Sequence, residues 1–122
     1  MTHLNWRVGP ADTLFGMSTE PLRDLFAPAE IAVIGASDRP GSVGAVVLRN
    51  LREAGFAGPI RPVNLRHAVV GGVPAVADVQ ALPTAPSLAV ICTPAASVPG
   101  IVEGLGRVGT RAASVLAAAV GD

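Results

Sequence analysis

Lysine is absent from this sequence: all nine basic residues are arginines. Tyrosine is absent too, and aromatics make up only 3% of the chain, so Val, Ala, Leu and Ile must fill the interior. The single cysteine, Cys92, excludes an internal disulfide framework and a Cys-rich zinc site. An intracellular, cytoplasmic protein is the simpler expectation. Charged residues are scarce at 15%, and nine basic against nine acidic residues give a net charge of +0. That balance excludes a broadly basic nucleic-acid-binding face, though not a local basic patch. A membrane anchor is not expected either. The uncharged stretch between Asp78 and Glu103 is broken by Pro83, Pro86, Pro94 and Pro99. The first residues lack the basic-then-apolar order of a secretory signal.

What is present suits one compact domain: 122 residues, half of them hydrophobic, can bury a core. Residues 1–20 show no clean period and are expected to form a flexible extension, from which Trp6 and Phe15 could dock. Residues 21–122 form the domain. It opens on a short helix over Glu20–Phe26, with Pro21 in its first turn and Leu22, Leu25 and Phe26 on one face.

Ile31-Ala32-Val33-Ile34 is wholly apolar and reads as a central strand covered on both faces. Val43–Ala54 has a helical period, with Val43, Val46, Val47 and Leu51 on one stripe and Gly55 as a stop. Pro59–Asn64 is extended, and its prolines suit a strand near the sheet edge. Gly71-Gly72 marks a turn before a short strand at Val73–Val76, and Val79–Leu82 forms one helical turn. Leu88–Cys92 is a second buried strand. A helix with Pro99 at its start runs to about Val108 and stops at Gly109. A last strand begins at Ala112. This order predicts a Rossmann-like, doubly wound α/β domain, a mostly parallel sheet with helices on both faces.

The loop from Gly35 to Gly44 joins the first strand to the first long helix, where doubly wound folds bind phosphates. The helix N-terminus offers unpaired N–H groups and the positive end of a dipole. Gly41 would let backbone approach a ligand, and Gly44 would let the helix pack against the strand. The bland alternative is a tight connection with glycines for geometry alone; the placement favours a ligand. G-x-G-x-x-G does not fit, because Gly35 precedes Gly41 by six positions. A P-loop does not fit without a lysine. After the second strand, a carboxylate for a ribose diol is replaced by Asn64, Leu65, Arg66 and His67. This favours a ligand with an extra phosphate near its adenosine, as in coenzyme A or NADP. Arg66 and His67 could equally be solvated loop residues.

The run from Ile31 through Gly35-Ala36-Ser37-Asp38-Arg39-Pro40-Gly41-Ser42-Val43-Gly44 resembles the opening of the CoA-binding domain of NDP-forming acyl-CoA synthetases. The resemblance continues through Gly55–Asn64, Gly71–Ala75, Leu88–Ala95 and Val98–Glu103. Similar domains open the succinyl-CoA synthetase alpha subunit and some bacterial protein lysine acetyltransferases. The resemblance implies that Gly35 through Gly44 hold CoA or an acyl-CoA, with Ser37, Asp38 and Arg39 near the diphosphate. It implies that Asn64 and Arg66 stand in the family's Pro-Val-Asn-Pro-Lys segment, with Leu65 for the second Pro and Arg66 for Lys. Arg keeps the charge but not the shape of Lys. It also implies that Thr93 and Pro94 border the adenine or the pantetheine arm.

The family's phosphohistidine lies in a later domain, and this sequence has only His3 and His67. The expected function is therefore CoA binding by a non-catalytic module, partnered by a catalytic domain or subunit elsewhere. An NADP-binding oxidoreductase fragment and a ligand-free regulatory or interaction domain are the alternatives. Cys92 reads as a small core residue, Ser37 and Ser42 lack triad partners, and Glu103 suits a helix dipole. An apolar tail, Val115–Val120, beside an edge strand predicts a homodimer. Neither a metal, a nucleic acid nor a membrane is expected as partner.

Overall fold

The structure, a computed structural model, describes residues 27–116. The extension, the helix expected over Glu20–Phe26 and the tail beyond Leu116 lie outside the described residues. The elements are β1 (Ile31–Ile34), α1 (Val43–Glu53), β2 (Ile60–Val63), β3 (Val69–Val70), β4 (Val73–Pro74), β5 (Leu88–Ile91), α2 (Val98–Val108) and β6 (Ala112–Val115). Single 3-10 turns sit at Val79–Ala81 and Ala95–Ser97.

Four strands form a wholly parallel sheet in the order β2-β1-β5-β6. β1 and β5, the two uninterrupted apolar runs, take the centre because only there are both faces covered. Proline-bearing β2 takes an edge, where Pro62 needs fewer ladder partners. Alternate residues of β1 serve opposite faces. Ile31 and Val33 pack with Leu48, Val43, Val47 and Leu51 of α1. Ala32 and Ile34 pack with Leu105, Val98, Ile101 and Val102 of α2. The doubly wound, two-faced architecture predicted from the sequence is thus the observed one.

Local chemistry sets the helix ends. The Ser42 hydroxyl accepts from the Ala45 N–H at 3.2 Å, an N-cap on α1. Gly109, at φ 100°, ends α2 in the left-handed conformation that a β-carbon would oppose. On the inner face of α1, Gly44 and Leu48 are the buried residues, while Val46 stays outside the core cluster. The packed stripe is therefore rotated from the expected one.

The chain also forms a small hairpin that the sequence pattern only half disclosed. β3 and β4 pair antiparallel around Gly71-Gly72, whose φ angles of 60° and 79° suit a two-residue turn. The segment after it returns to the sheet edge, where Val76 bridges Val63 of β2.

Candidate functional site

Strand registers decide where the site lies. Ile34 is level with Val63 on one side and Ile91 on the other. Gly35, Asn64 and Cys92 therefore leave the sheet together at its carboxyl edge. The chain turns one way from β1 and the other way from β5, so a crevice opens between these strands at the switch point. A cleft of about 890 Å³ occupies it. That volume falls in the range of small-molecule and cofactor sites.

Gly44 brings the helix N-terminus to this crevice. A β-carbon there would collide with the Gly35 carbonyl oxygen, so only glycine allows α1 to sit so close to the end of β1. Gly35 is equally confined: it has φ 88°, and a β-carbon would stand 3.0 Å from the Cys92 carbonyl oxygen and the Thr93 methyl. The first turn of a helix leaves N–H groups without intrahelical acceptors. Ser42 takes that of Ala45, which leaves the Val43 and Gly44 N–H groups as donors at the cleft.

The cleft is lined by Gly35, Ser37, Arg39, Ser42, Val43, Gly44, Asn64, Arg66, Thr93 and Pro94 from the predicted set. Ala36, Asp38 and Gly41 do not line it. Ala36 is fully buried, and its carbonyl accepts a hydrogen bond from Asn64 Nδ2 at 2.8 Å. Asp38 turns outward, and its Oδ1 accepts from the Gly71 N–H of the hairpin at 2.9 Å. Gly41 has φ 80°, and a β-carbon there meets nothing within 4 Å. The positive φ by itself already calls for glycine at this turn.

The loop is held by its own hydroxyls. Ser37 Oγ accepts from the Arg39 N–H at 2.9 Å, and Ser42 Oγ donates to the Arg39 carbonyl at 2.8 Å. Asn64 adds a clamp: besides its bond to Ala36, its Oδ1 accepts from the Arg66 and His67 N–H groups at 2.7 and 2.8 Å. Both ends of the Asn64 amide are thus engaged with backbone.

Three arginines line the cleft, Arg39, Arg66 and Arg107, against one carboxylate, Asp78. Asp78 Oδ1 is engaged as a cap, accepting from the Gln80 N–H at 2.7 Å. The cleft therefore carries a net positive charge suited to an anionic ligand. Its other walls are apolar, from Ile34, Val43, Val63, Val79 and Ile101. Cys92 also lines it, but burial pushes its thiol from the ordinary 9.0 to about 12, so it stays protonated and poorly nucleophilic at neutral pH.

Sequence reasoning missed the α2 wall. Ser97, Gly100, Ile101, Gly104 and Arg107 line the cleft at helical spacing, opposite Ala77 to Gln80. The i, i+3, i+4 recurrence was the available signal, but a cleft-facing stripe shares it with a core-facing one. Gly104 allows the 3-10 turn at Val79 to press against α2, since a β-carbon would stand 2.9 Å from Val79 Cγ2. No helix among the described residues is long and apolar enough to cross a membrane.

The residues present fit CoA: N–H donors and arginines for its phosphates, and apolar walls for its flexible arm. Comparison with known proteins independently points to coenzyme A. The family model described as "CoA binding domain" matches residues 29–121. The alpha subunit of an ADP-forming acetate–CoA ligase from Pyrococcus furiosus is 34% identical over 105 residues, covering 83% of this chain and 23% of that protein. A trans-feruloyl-CoA synthase of an unknown prokaryote is 36% identical over 101 residues, covering 83% of this chain and 14% of its own length. Among solved structures, a dinucleotide-forming acetyl-coenzyme A synthetase from Ca. Korarchaeum cryptofilum superposes with a TM-score of 0.73 at 35% identity. That match covers 77% of this chain and 20% of the synthetase. The chain thus spans less than a quarter of the length of each of these relatives. Family model, relatives and architecture agree, and the chain belongs to the CoA-binding domain family.

Proposed function

We propose that this domain binds CoA or an acyl-CoA in the switch-point cleft, as a non-catalytic module serving an acyl-CoA ligase or a protein acetyltransferase. The observation that carries the reading is the Gly44–Gly35 contact, which sets the α1 N-terminus at the crevice among three arginines. The Val43 and Gly44 N–H groups, with Ser37 and Arg39, receive the diphosphate. Arg66, in the loop after β2, takes the phosphate beside the adenosine. Thr93 and Pro94 wall the adenine or the pantetheine arm. Asn64 acts through the loops it holds rather than on the ligand. Ala36, Asp38 and Gly41 shape the loop.

Bound CoA supplies a thiol that carries an acyl group. The residues of this chain bind it, orient it and exclude water from its phosphates. The acyl-transfer chemistry belongs to a catalytic domain or subunit, and the protein works in the cytoplasm.

Calorimetric titration with CoA, acetyl-CoA, NADP and NAD tests the reading. The expected result is binding of CoA or acetyl-CoA without binding of NAD. Preference for NADP would instead support an oxidoreductase fragment. No binding of any of the four would leave a regulatory or interaction domain without ligand.

A further inference from the structure

We infer that Arg107 is a second anion anchor at the α2 end of the cleft, separate from the phosphate site at the α1 N-terminus. This inference rests on the CoA reading. It concerns the one cleft-lining cation that no glycine-loop or β2-loop argument accounts for. Arg39 and Arg66 come from the loops after β1 and β2. Arg107 comes from α2, on the opposite face of the sheet, which packs a different core cluster.

Helical side chains lean toward the N-terminus, over the preceding turn. The Arg107 guanidinium follows that rule: its Nη2 lies 3.3 Å from Glu103 Oε2, one turn back. Glu103 does not line the cleft, whereas Arg107 does. Both side chains are largely exposed, 64% and 69%, so the pair itself contributes little stability. Its consequence is a tether: the guanidinium stays over the preceding turn of a helix that lines the cleft. A guanidinium has five N–H donors, and one contact with Glu103 leaves others for a ligand.

The neighbouring groups agree with an anion. Gln80 Nε2 donates to the Gly104 carbonyl at 3.4 Å, which puts a second side-chain donor beside the same turn of α2. Asp78, the cleft's carboxylate, is occupied as a cap by the Gln80 N–H. The ligand chemistry is a phosphate or carboxylate oxygen. Two sources exist in this ligand class: the 3′-phosphate of CoA, and a terminal carboxylate on the acyl group.

The test measures dissociation constants of the wild-type protein and of Arg107→Gln for two ligand pairs. The pairs are CoA with dephospho-CoA, and succinyl-CoA with butyryl-CoA. Loss of one charge-assisted hydrogen bond corresponds to about a tenfold weakening or more. The expected result is such a loss for the charged member of one pair, with its partner changed less than about twofold. The affected pair identifies the source of the anion. Arg107→Lys, which keeps the charge, should recover part of the loss. Equal losses for all four ligands would move the contact to the diphosphate and overturn the second anchor. Unchanged affinities for all four would do the same. Failure of the wild-type protein to bind any of them would overturn the CoA reading and this inference with it. Circular dichroism of the variant checks that the fold is intact.

Discussion

Asn64 reaches across the mouth of the sheet to donate from Nδ2 to the Ala36 carbonyl at 2.8 Å, and so ties the loop after β2 to the glycine loop after β1. Its Oδ1 meanwhile holds the Arg66 and His67 N–H groups. One amide therefore fixes the relative position of the two segments that carry the proposed phosphate contacts. Asn64→Ala should cost about 1–3 kcal/mol of stability, because three backbone partners lose their bonds at once. It should also weaken CoA binding by loosening both loops. Asn64→Asp keeps the acceptor and should recover stability in part, while its charge opposes the phosphates. Urea unfolding and calorimetry on both variants separate the effects. Unchanged affinity in both would show that the loops hold themselves.

The two loop glycines should behave differently. Gly44→Ala drives a β-carbon into the Gly35 carbonyl, with only backbone to yield. Destabilisation of about 3 kcal/mol or more is expected, at the upper end of single substitutions. Gly41→Ala meets no atom but is held at φ 80°. It should cost about 1–2 kcal/mol and leave CoA affinity nearly unchanged. Thermal melts and titrations of the two variants check the contrast. A Gly41 variant that folds well yet loses CoA would contradict the assignment of that glycine to the turn.

Arg66→Ala should weaken CoA more than dephospho-CoA. A charge-assisted hydrogen bond is worth roughly 1.5–3 kcal/mol, and only a contact to the 3′-phosphate distinguishes the two ligands. Titration with each ligand decides. Equal losses would assign Arg66 to the diphosphate, and no loss would leave it in solvent, where it is exposed in the free domain.

Cys92 gives stability a pH dependence at the alkaline end. Burial raises its thiol from 9.0 to about 12 in the folded chain. Between these values the unfolded chain releases a proton that the folded chain retains, so the unfolded state binds fewer protons and stability falls as pH rises. Below about pH 9 the thiol is protonated in both states and contributes no slope. Denaturation of the wild-type protein and of Cys92→Ala across pH 8 to 11 should show a steeper decline for the wild type. Thiol labelling should be slow in the native protein and fast in urea. Rapid native labelling would show that the cleft leaves the sulfur open.

β6 stands at the sheet edge and, among the described residues, pairs only with β5. An open edge strand is a template for a second chain, and a two-fold dimer is the commonest closed result. Light scattering coupled to size exclusion should show mass rising toward a dimer with concentration. A monomeric mass throughout the series would refute self-association through this edge.

Much of this domain is written locally. The runs Ile31–Ile34 and Leu88–Ile91 are apolar at every position, which only a strand covered on both faces satisfies, and they form the sheet centre. Ser42 and Gly109 set helix ends through neighbours within a few residues. Gly35 and Gly44 stand between a strand and a helix, so the crevice was legible as well. What the sequence left open depends on partners far along the chain. Asp38 stands outside the cleft lining, and its bond from the Gly71 N–H, 33 positions away, has no trace in the loop's own sequence. Asn64 lines the cleft, but its hold on the Ala36 carbonyl, 28 positions away, leaves no local sign. The stripe from Ser97, the N-cap of α2, to Arg107 shares its period with any buried helix face. Whether such a face meets core or open cleft depends on where the 3-10 turn at Val79–Ala81 comes to rest against Gly104. Periodicity and capping are short-range and leave a local trace. The direction a polar side chain finally takes depends on which distant donor or acceptor arrives, and only the folded chain brings them together.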